Sequence, residues 1–274
     1  MKRMKAALLF ALSLSLLGGC SAGGGEDKTD TAKADNGERT KLTVGFDAEF
    51  PPYGYKDESG EYTGFDLELA QAVADKEGWE LVKQPIDWDA KDMELSSGAI
   101  DCIWNGFTMT GREDDYTFSD PYIDNSQVWV VKSDSGINSP EDLAGKTIGV
   151  QKDSSALAAL QDDENQALTD SFANLTQYGD YNMAFMDLEA GAIDALALDI
   201  GVADYQLESR GDAYKMLDDR LASEKYAIGF AKGNTELKDQ VQKDLYELYD
   251  EGKVQELAEK YGLTEYLCLE EYKK

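Results

Sequence analysis

Histidine is absent from all 274 residues. With it go the Ser-His-Asp triad, the imidazole general base and the His-ligated zinc site. Positive charge is scarce, because 26 Lys and Arg stand against 55 Asp and Glu, a formal charge of −29. Binding to nucleic acid begins with Lys and Arg neutralising phosphates, so this deficit argues against nucleic acid as a partner. A long apolar run is missing as well: Ala6–Leu17 falls short of the roughly 20 residues that cross a bilayer. Chemistry built on carboxylates, lysine or serine stays open, and no cofactor is expected.

Within the first residues, Lys2, Arg3 and Lys5 precede the run Ala6–Leu17, and Leu17-Gly18-Gly19-Cys20 follows. A positive start, a short apolar core and small residues describe a secretory signal over 1–19. The ending resembles a bacterial lipobox, which makes Cys20 the lipidated first residue of the mature chain. Removing 1–19 takes the charge from −29 to −32. Between Ser21 and Thr40 there is no Leu, Ile, Val or aromatic residue. Such a segment buries too little apolar surface to offset its ordering entropy, so 20–40 reads as a lipidated cysteine with a flexible tether, spanning roughly 25 Å.

From Lys41 onward, short β-rich runs alternate with amphipathic helical patterns, the signature of an α/β fold. Strands are expected at 41–46, 99–104, 128–131, 147–150, 193–198 and 226–230. Helices are expected at 66–76, with Asp66 as N-cap and Gly78 as stop, and at 155–160, 183–189, 237–249 and 254–261. A weak repeat organises them: Thr43-Val44-Gly45-Phe46-Asp47 returns as Thr147-Ile148-Gly149-Val150-Gln151, and Gly98-Ala99-Ile100-Asp101 as Gly191-Ala192-Ile193-Asp194. The order is the same both times, which implies two lobes of like topology offering strand ends to a shared cleft.

Those strand ends carry the informative polar residues. Arg112 is the only basic residue between Lys91 and Lys132, and it follows the loop Asn105–Thr110. Its planar guanidinium suits a carboxylate. Asp153-Ser154-Ser155 follows a strand and opens a helix, where backbone N–H groups favour negative charge. Asp199, at the end of an apolar strand, is placed to meet an ammonium. Together these groups form a receptor for a zwitterion. Each also has a plainer reading: a surface ion pair between Arg112 and Glu113, Asp114 or Asp115, and helix caps for Asp199 and Ser154.

Five segments, "VGFDAEFPPYGY" (44–55), "GEYTGFDLELAQAVA" (60–74), "GFTMTGRE" (106–113), "FSDPY" (118–122) and "DLAGKTIGVQKDSS" (142–155), resemble the polar amino acid-binding proteins of bacterial ABC importers, the family 3 solute-binding proteins. The resemblance runs from Lys41 to about Gly262. It implies a type II periplasmic-binding-protein fold: two α/β lobes, 41–123 plus 228–274 and 124–227, joined by two hinge strands that close on a ligand. It also implies that Arg112 holds the ligand carboxylate with Thr108 and the backbone of Ser154 or Ser155. Asp199 would take the α-ammonium, helped by the Gly106 carbonyl and Thr108. Phe50 and Trp88 would flank the ligand side chain, and Asp47, Tyr53, Asn105 and Gln151 would line its far end. Asp47 beside two aromatics tilts the ligand towards a cationic side chain. Implied partners are a free amino acid, a membrane permease with its ATPase subunits, and the membrane through Cys20, for a monomeric protein on the outer face of the cytoplasmic membrane.

Two positions depart from the family pattern. The turn Thr110-Gly111-Arg112 is one residue short, and Asp153 stands where glycine is frequent, an acid that repels a bound carboxylate unless it turns outward or caps the helix. Cys102 and Cys268 either form a bridge or are free buried thiols. The alternative function on this scaffold is an enzyme like cyclohexadienyl dehydratase, for which Glu49 is the nearest acid. A sensor ectodomain needs a transmembrane helix or signalling domain, which 41–274 lacks. The expectation is therefore a binding protein and not an enzyme.

Overall fold

A computed structural model describes residues 39–273; the expected signal segment, Cys20 and most of the expected tether lie outside the described residues. Arg39, expected in the tether, instead pairs with Asp101 at 2.9 Å and lies over the Trp79 ring.

In chain order the first part contains β1 (Lys41–Phe46), a small three-stranded sheet of β2 (Glu49–Phe50), β3 (Gly54–Lys56) and β4 (Tyr62–Thr63), then α1 (Phe65–Glu77) and β5 (Glu80–Pro85). It continues with α2 (Lys91–Ser96), β6 (Cys102–Ile103) and β7 (Tyr116–Phe118). The middle part holds β8 (Ile123–Lys132), β9 (Thr147–Gln151), α3 (Ser155–Gln161), α4 (Gln166–Thr169), β10 (Asn174–Tyr178), α5 (Tyr181–Ala190), β11 (Ala195–Asp199), α6 (Ile200–Arg210), β12 (Tyr214–Met216) and β13 (Ala222–Tyr226). The chain then adds β14 (Gly229–Ala231), α7 (Thr235–Asp250), α8 (Lys253–Lys260) and α9 (Leu269–Tyr272).

Two sheets result, with matching order. One runs β5-β1-β6-β14-β7 and the other β10-β9-β11-β8-β12, with β13 on β8. In each, three parallel strands come first and antiparallel strands follow. The repeat has a physical basis. Asp101 accepts from the Thr43 N–H at 2.7 Å, and Asp194 accepts from the Thr147 N–H at 2.8 Å. Likewise the N–H groups of Asp101 and Asp194 each donate to the carbonyls of Thr43 and Thr147, both at 2.8 Å. The repeated glycine serves a close approach: a Cβ on Gly45 would lie 2.4 Å from Ile100 Cδ1, and one on Gly149 would lie 2.6 Å from Ile193 Cδ1. The motif thus ties a strand to its parallel neighbour twice over.

Alternation along the central strands builds the core. Val128 and Val130 of β8 pack into one buried cluster with Leu196 and Leu198 of β11. Trp129 and Val131 face the other side with Ala195, Ala197, Ile148 and Val150. Period-two side-chain placement on a sheet covered on both faces requires this arrangement. α1 buries Leu69, Ala70, Val73 and Ala74 against α7 and α8, as its spacing predicts, and ends at Gly78.

Several local expectations are corrected. Gly64 caps α1, and Asp66 lies inside its first turn, where its carboxylate accepts from the Gly106 N–H and the Tyr122 hydroxyl. The strand expected at 226–230 breaks in two, because Tyr226 ends β13 on one sheet and Gly229 starts β14 on the other. The strand at 99–104 contracts to Cys102–Ile103, since Gly98-Ala99-Ile100-Asp101 forms the turn that docks on Thr43. Cys102 and Cys268 are both buried and free.

Candidate functional site

In sheets of this order, a ligand is expected at the C-terminal strand ends where the winding reverses, beside the first strand and its parallel neighbour on the far side. Here those ends carry Asp47 after β1 and Asn105 after β6, and Gln151 and Asp199 at the ends of β9 and β11. They meet. Gln151 Nε2 donates to Asp47 Oδ2 at 2.6 Å, and the Asp47 N–H donates to Asn105 Oδ1 at 2.9 Å. Burial lifts Asp47 to about 6, against the pull of its hydrogen bonds from Glu49 and Gln151.

Beside this contact lies a small cavity lined by Phe50, Trp88, Asn105, Gly106, Thr108, Arg112, Gln151, Ser154, Ser155 and Asp199. Two residues expected here are elsewhere. Asp47 lines an adjoining open recess with Glu49, Asp87 and Asp180. Tyr53 is fully buried, its ring against Phe50 and Tyr226, and its hydroxyl fills the space above Gly201. Glu49 also faces the recess and accepts from Asn182, away from the cavity.

The loop after β6 is shaped by Gly106. Its φ of 55° is open to glycine at little cost, and a Cβ there would lie 2.9 Å from both the Phe50 and Tyr226 rings. The Gly106 N–H is tied to Asp66, which burial lifts to about 7. Arg112 folds back over this loop, donating to the Thr108 carbonyl at 3.2 Å with its guanidinium over the Phe107 ring. Among the ion pairs of the described residues, none involves Arg112, so pairing with Glu113, Asp114 or Asp115 is not its role.

Ser154 does cap α3, its Oγ accepting from the Leu157 N–H at 3.1 Å. Asp153 turns away from the cavity. It takes a left-handed backbone, φ 54°, and pairs with the buried ammonium of Lys91 from the other sheet's side of the cleft. The acid that threatened a bound carboxylate is thereby neutralised by a partner 62 residues away in the chain.

Asp199 stands at the N-cap position of α6 but makes no capping bond. Its Oδ1 instead accepts from Asn125 Nδ2 at 2.8 Å, from Gln127 Nε2 at 2.6 Å and from the Tyr226 hydroxyl. Burial and then the charge of Glu224 raise Asp199 to about 7. Asn125, Gln127, Glu224 and Tyr226 were not anticipated from sequence. They occupy alternate positions of β8 and β13, with Asn125 opposite Glu224. The signal available was period-two polarity, Asn125-x-Gln127 and Glu224-x-Tyr226, but the polar half of β8 does not read as strand. Among the described residues no cluster of acids, thiols or imidazoles is arranged to hold a metal.

Comparison with known proteins gives a consistent picture. Residues 42–264 match the family described as "Bacterial extracellular solute-binding proteins, family 3". The "Arginine-binding extracellular protein ArtP" of Bacillus subtilis (strain 168) is 32% identical over 229 residues, covering 81% of this chain and 86% of that protein. The crystal structure of an ABC uptake transporter substrate binding protein from Streptococcus pneumoniae with bound histidine superposes with a TM-score of 0.78 at 39% identity, covering 81% of this chain and 92% of that one. An ancestral amino acid-binding protein, a precursor of cyclohexadienyl dehydratase, superposes with a TM-score of 0.73 at 30% identity, covering 81% of this chain and 95% of that one.

Proposed function

The chain belongs to the bacterial extracellular solute-binding proteins, family 3, and from that premise we propose that it captures an L-α-amino acid in the cavity beneath Trp88 and delivers it to an ABC importer. Its fold is the type II periplasmic-binding-protein fold, two α/β lobes around a ligand cleft.

One observation carries the reading. A guanidinium and a carboxylate, Arg112 and Asp199, line the same small cavity, and neither takes part in an ion pair with any described residue. A cation and an acid left without charged protein partners are complementary to one zwitterion. Arg112, Thr108 and the backbone at Ser154 and Ser155 take the carboxylate; Asp199 and the Gly106 carbonyl take the ammonium. Phe50, Trp88, Asn105 and Gln151 face the side chain. Asp47, held against Gln151, and the acids of the adjoining recess favour a polar or cationic one.

In this reading the lobes are 41–123 plus 228–274 and 124–227, and the chain crosses near 123–124 and 226–227, where Ile123 pairs with Tyr226. Closure about these crossings brings Gln151 onto Asp47 and Lys91 onto Asp153. The protein acts outside the cytoplasm, as a monomer tethered through a lipid on Cys20, and hands its ligand to a permease powered by ATPase subunits. It is a binder and not an enzyme: Glu49 lies outside the cavity, in the adjoining recess, and so does not supply a proton at a leaving group. The test is a thermal-shift screen of the twenty L-amino acids, ornithine and cystine. One or a few should raise the melting temperature, and a flat response to all of them refutes the zwitterion site.

A further inference from the structure

Glu224 has no role in the reading above, yet it is 8% exposed and sits against the proposed ammonium site. Its Oε1 accepts from Thr108 Oγ1 at 2.8 Å, Asn125 Nδ2 at 2.6 Å and Ser155 Oγ at 3.1 Å, with Gln127 Nε2 at 2.8 Å. Two of these donors are shared, because Asn125 Nδ2 and Gln127 Nε2 also reach Asp199 Oδ1 at 2.8 and 2.6 Å. Two carboxylates that share donor nitrogens lie only a few ångströms apart. No lysine or arginine pairs with either among the described residues. Like charges so placed do not both ionise without a counter-cation.

Among the described residues no cation contacts the two acids. Tyr226 on β13 donates to Asp199, and Tyr53, ahead of β3, and Tyr181 on α5 lie close by; burial keeps all three phenols well above their ordinary range and therefore neutral. Asp66 on α1 faces the site from behind the Gly106 backbone, and Asp47, outside the cavity, accepts from Gln151, which lines it. Among the described residues Arg112 is the one cationic side chain lining the cavity, and it is held on the Thr108 carbonyl and the Phe107 ring. Asp199 Oδ2 and Glu224 Oε2 receive no protein hydrogen bond from the described residues, while Oδ1 and Oε1 are saturated.

We propose that Glu224 is a positioning residue of the ammonium site, forming with Asp199 a buried acid pair that retains one proton without ligand and releases it to solvent when the ligand's ammonium arrives. The inference rests on the amino acid reading of the same cavity and adds to it a proton linkage and a requirement for a cationic amine. The pair is pre-arranged by donors from β8, β13, α3 and the loop after β6, so the ammonium replaces the proton without moving the carboxylates.

Isothermal titration of the purified protein with L-arginine, L-histidine, L-glutamine and L-cystine tests this, in two buffers of different ionisation enthalpy at pH 6, 7 and 8. The wild type should release a proton fraction near neutral pH, with affinity falling by up to about tenfold per pH unit on the acid side. Glu224→Gln keeps the Oε1 acceptor and removes the second charge, so its affinity profile should move to lower pH and its proton release at pH 7 should shrink. Because Asp47 and Asp66 also titrate near this range, the difference between the two proteins is the quantity read. Binding with the same pH profile in both overturns the inference and leaves the amino acid reading standing. No binding of these probes, nor of any of the twenty L-amino acids, ornithine or cystine, to the wild type overturns both. Carboxyl-carbon NMR of the ligand-free wild type serves independently of the variant: two acids that both stay ionised through neutral pH refute the shared proton.

Discussion

Replacing Arg112 by alanine separates a ligand-holding role from a structural one. In the structure the side chain makes one hydrogen bond, to the Thr108 carbonyl, and lies on the Phe107 ring. Those contacts contribute on the order of 1–2 kcal/mol, so the melting temperature of the ligand-free protein should fall by no more than about 2–8 °C in a chain of this size. The effect on binding is much larger. Truncating one partner of a desolvated, hydrogen-bonded charge pair costs about 2–5 kcal/mol, which is roughly 30-fold to several-thousand-fold in affinity. A ligand at a hundred times its dissociation constant stabilises the wild type by about 2.7 kcal/mol, or roughly 5–11 °C. At the same concentration the variant would sit at no more than about three times its own constant, leaving less than about 1 kcal/mol of stabilisation. Differential scanning fluorimetry with and without the best ligand of the screen measures both quantities. Arg112→Lys should recover part of the shift, since it restores the charge but not the two parallel donors. An undiminished shift in Arg112→Ala refutes the carboxylate role, and a collapse of the ligand-free melting temperature would make Arg112 structural.

Two further outcomes follow from the structure. Gly45→Ala places a Cβ 2.4 Å from Ile100 Cδ1 and should cost roughly 1–3 kcal/mol in urea unfolding; adding Ile100→Ala removes that contact, so the double variant should be less destabilised than the sum of the singles. Strict additivity would show that the repeated glycine does not serve this packing. Asp66, lifted to about 7 by burial, keeps a proton in the folded state that the unfolded chain has already lost above its ordinary value near 3.8. Its contribution to stability is therefore complete below about pH 4 and is lost as pH rises to about 7, by up to roughly 4 kcal/mol. Urea midpoints of the ligand-free protein should fall between pH 5 and 7.5, and a rise over that interval contradicts the assignment.

Composition, the two echoed motifs and the strand-end residues were legible because each depends on local chemistry. An aspartate after Gly-Ala-Ile docks its own lobe's first strand, so the same four residues at 98–101 and 191–194 carry the same bonds wherever they occur. Ten of the twelve residues expected at the ligand do line one cavity, since a strand's C-terminal end is where an open α/β sheet exposes side chains. Tertiary structure decided the rest. Tyr53 is drawn into the core because Gly201, 148 positions on, leaves room for its ring. Asp153 is harmless because Lys91 reaches it from the opposite side of the cleft. Asn125, Gln127 and Glu224 carry no apolar period, and their strand is set by the antiparallel pairing of β8 with β13, which puts Asn125 opposite Glu224. Sequence by itself determined the α/β class, the repeated motif and the polar residues at the strand ends, as hydrophobic period and turn chemistry act over a few residues. Which charges meet, and which stay without a charged partner, depended on contacts between segments a hundred residues apart, and those exist only in the folded chain.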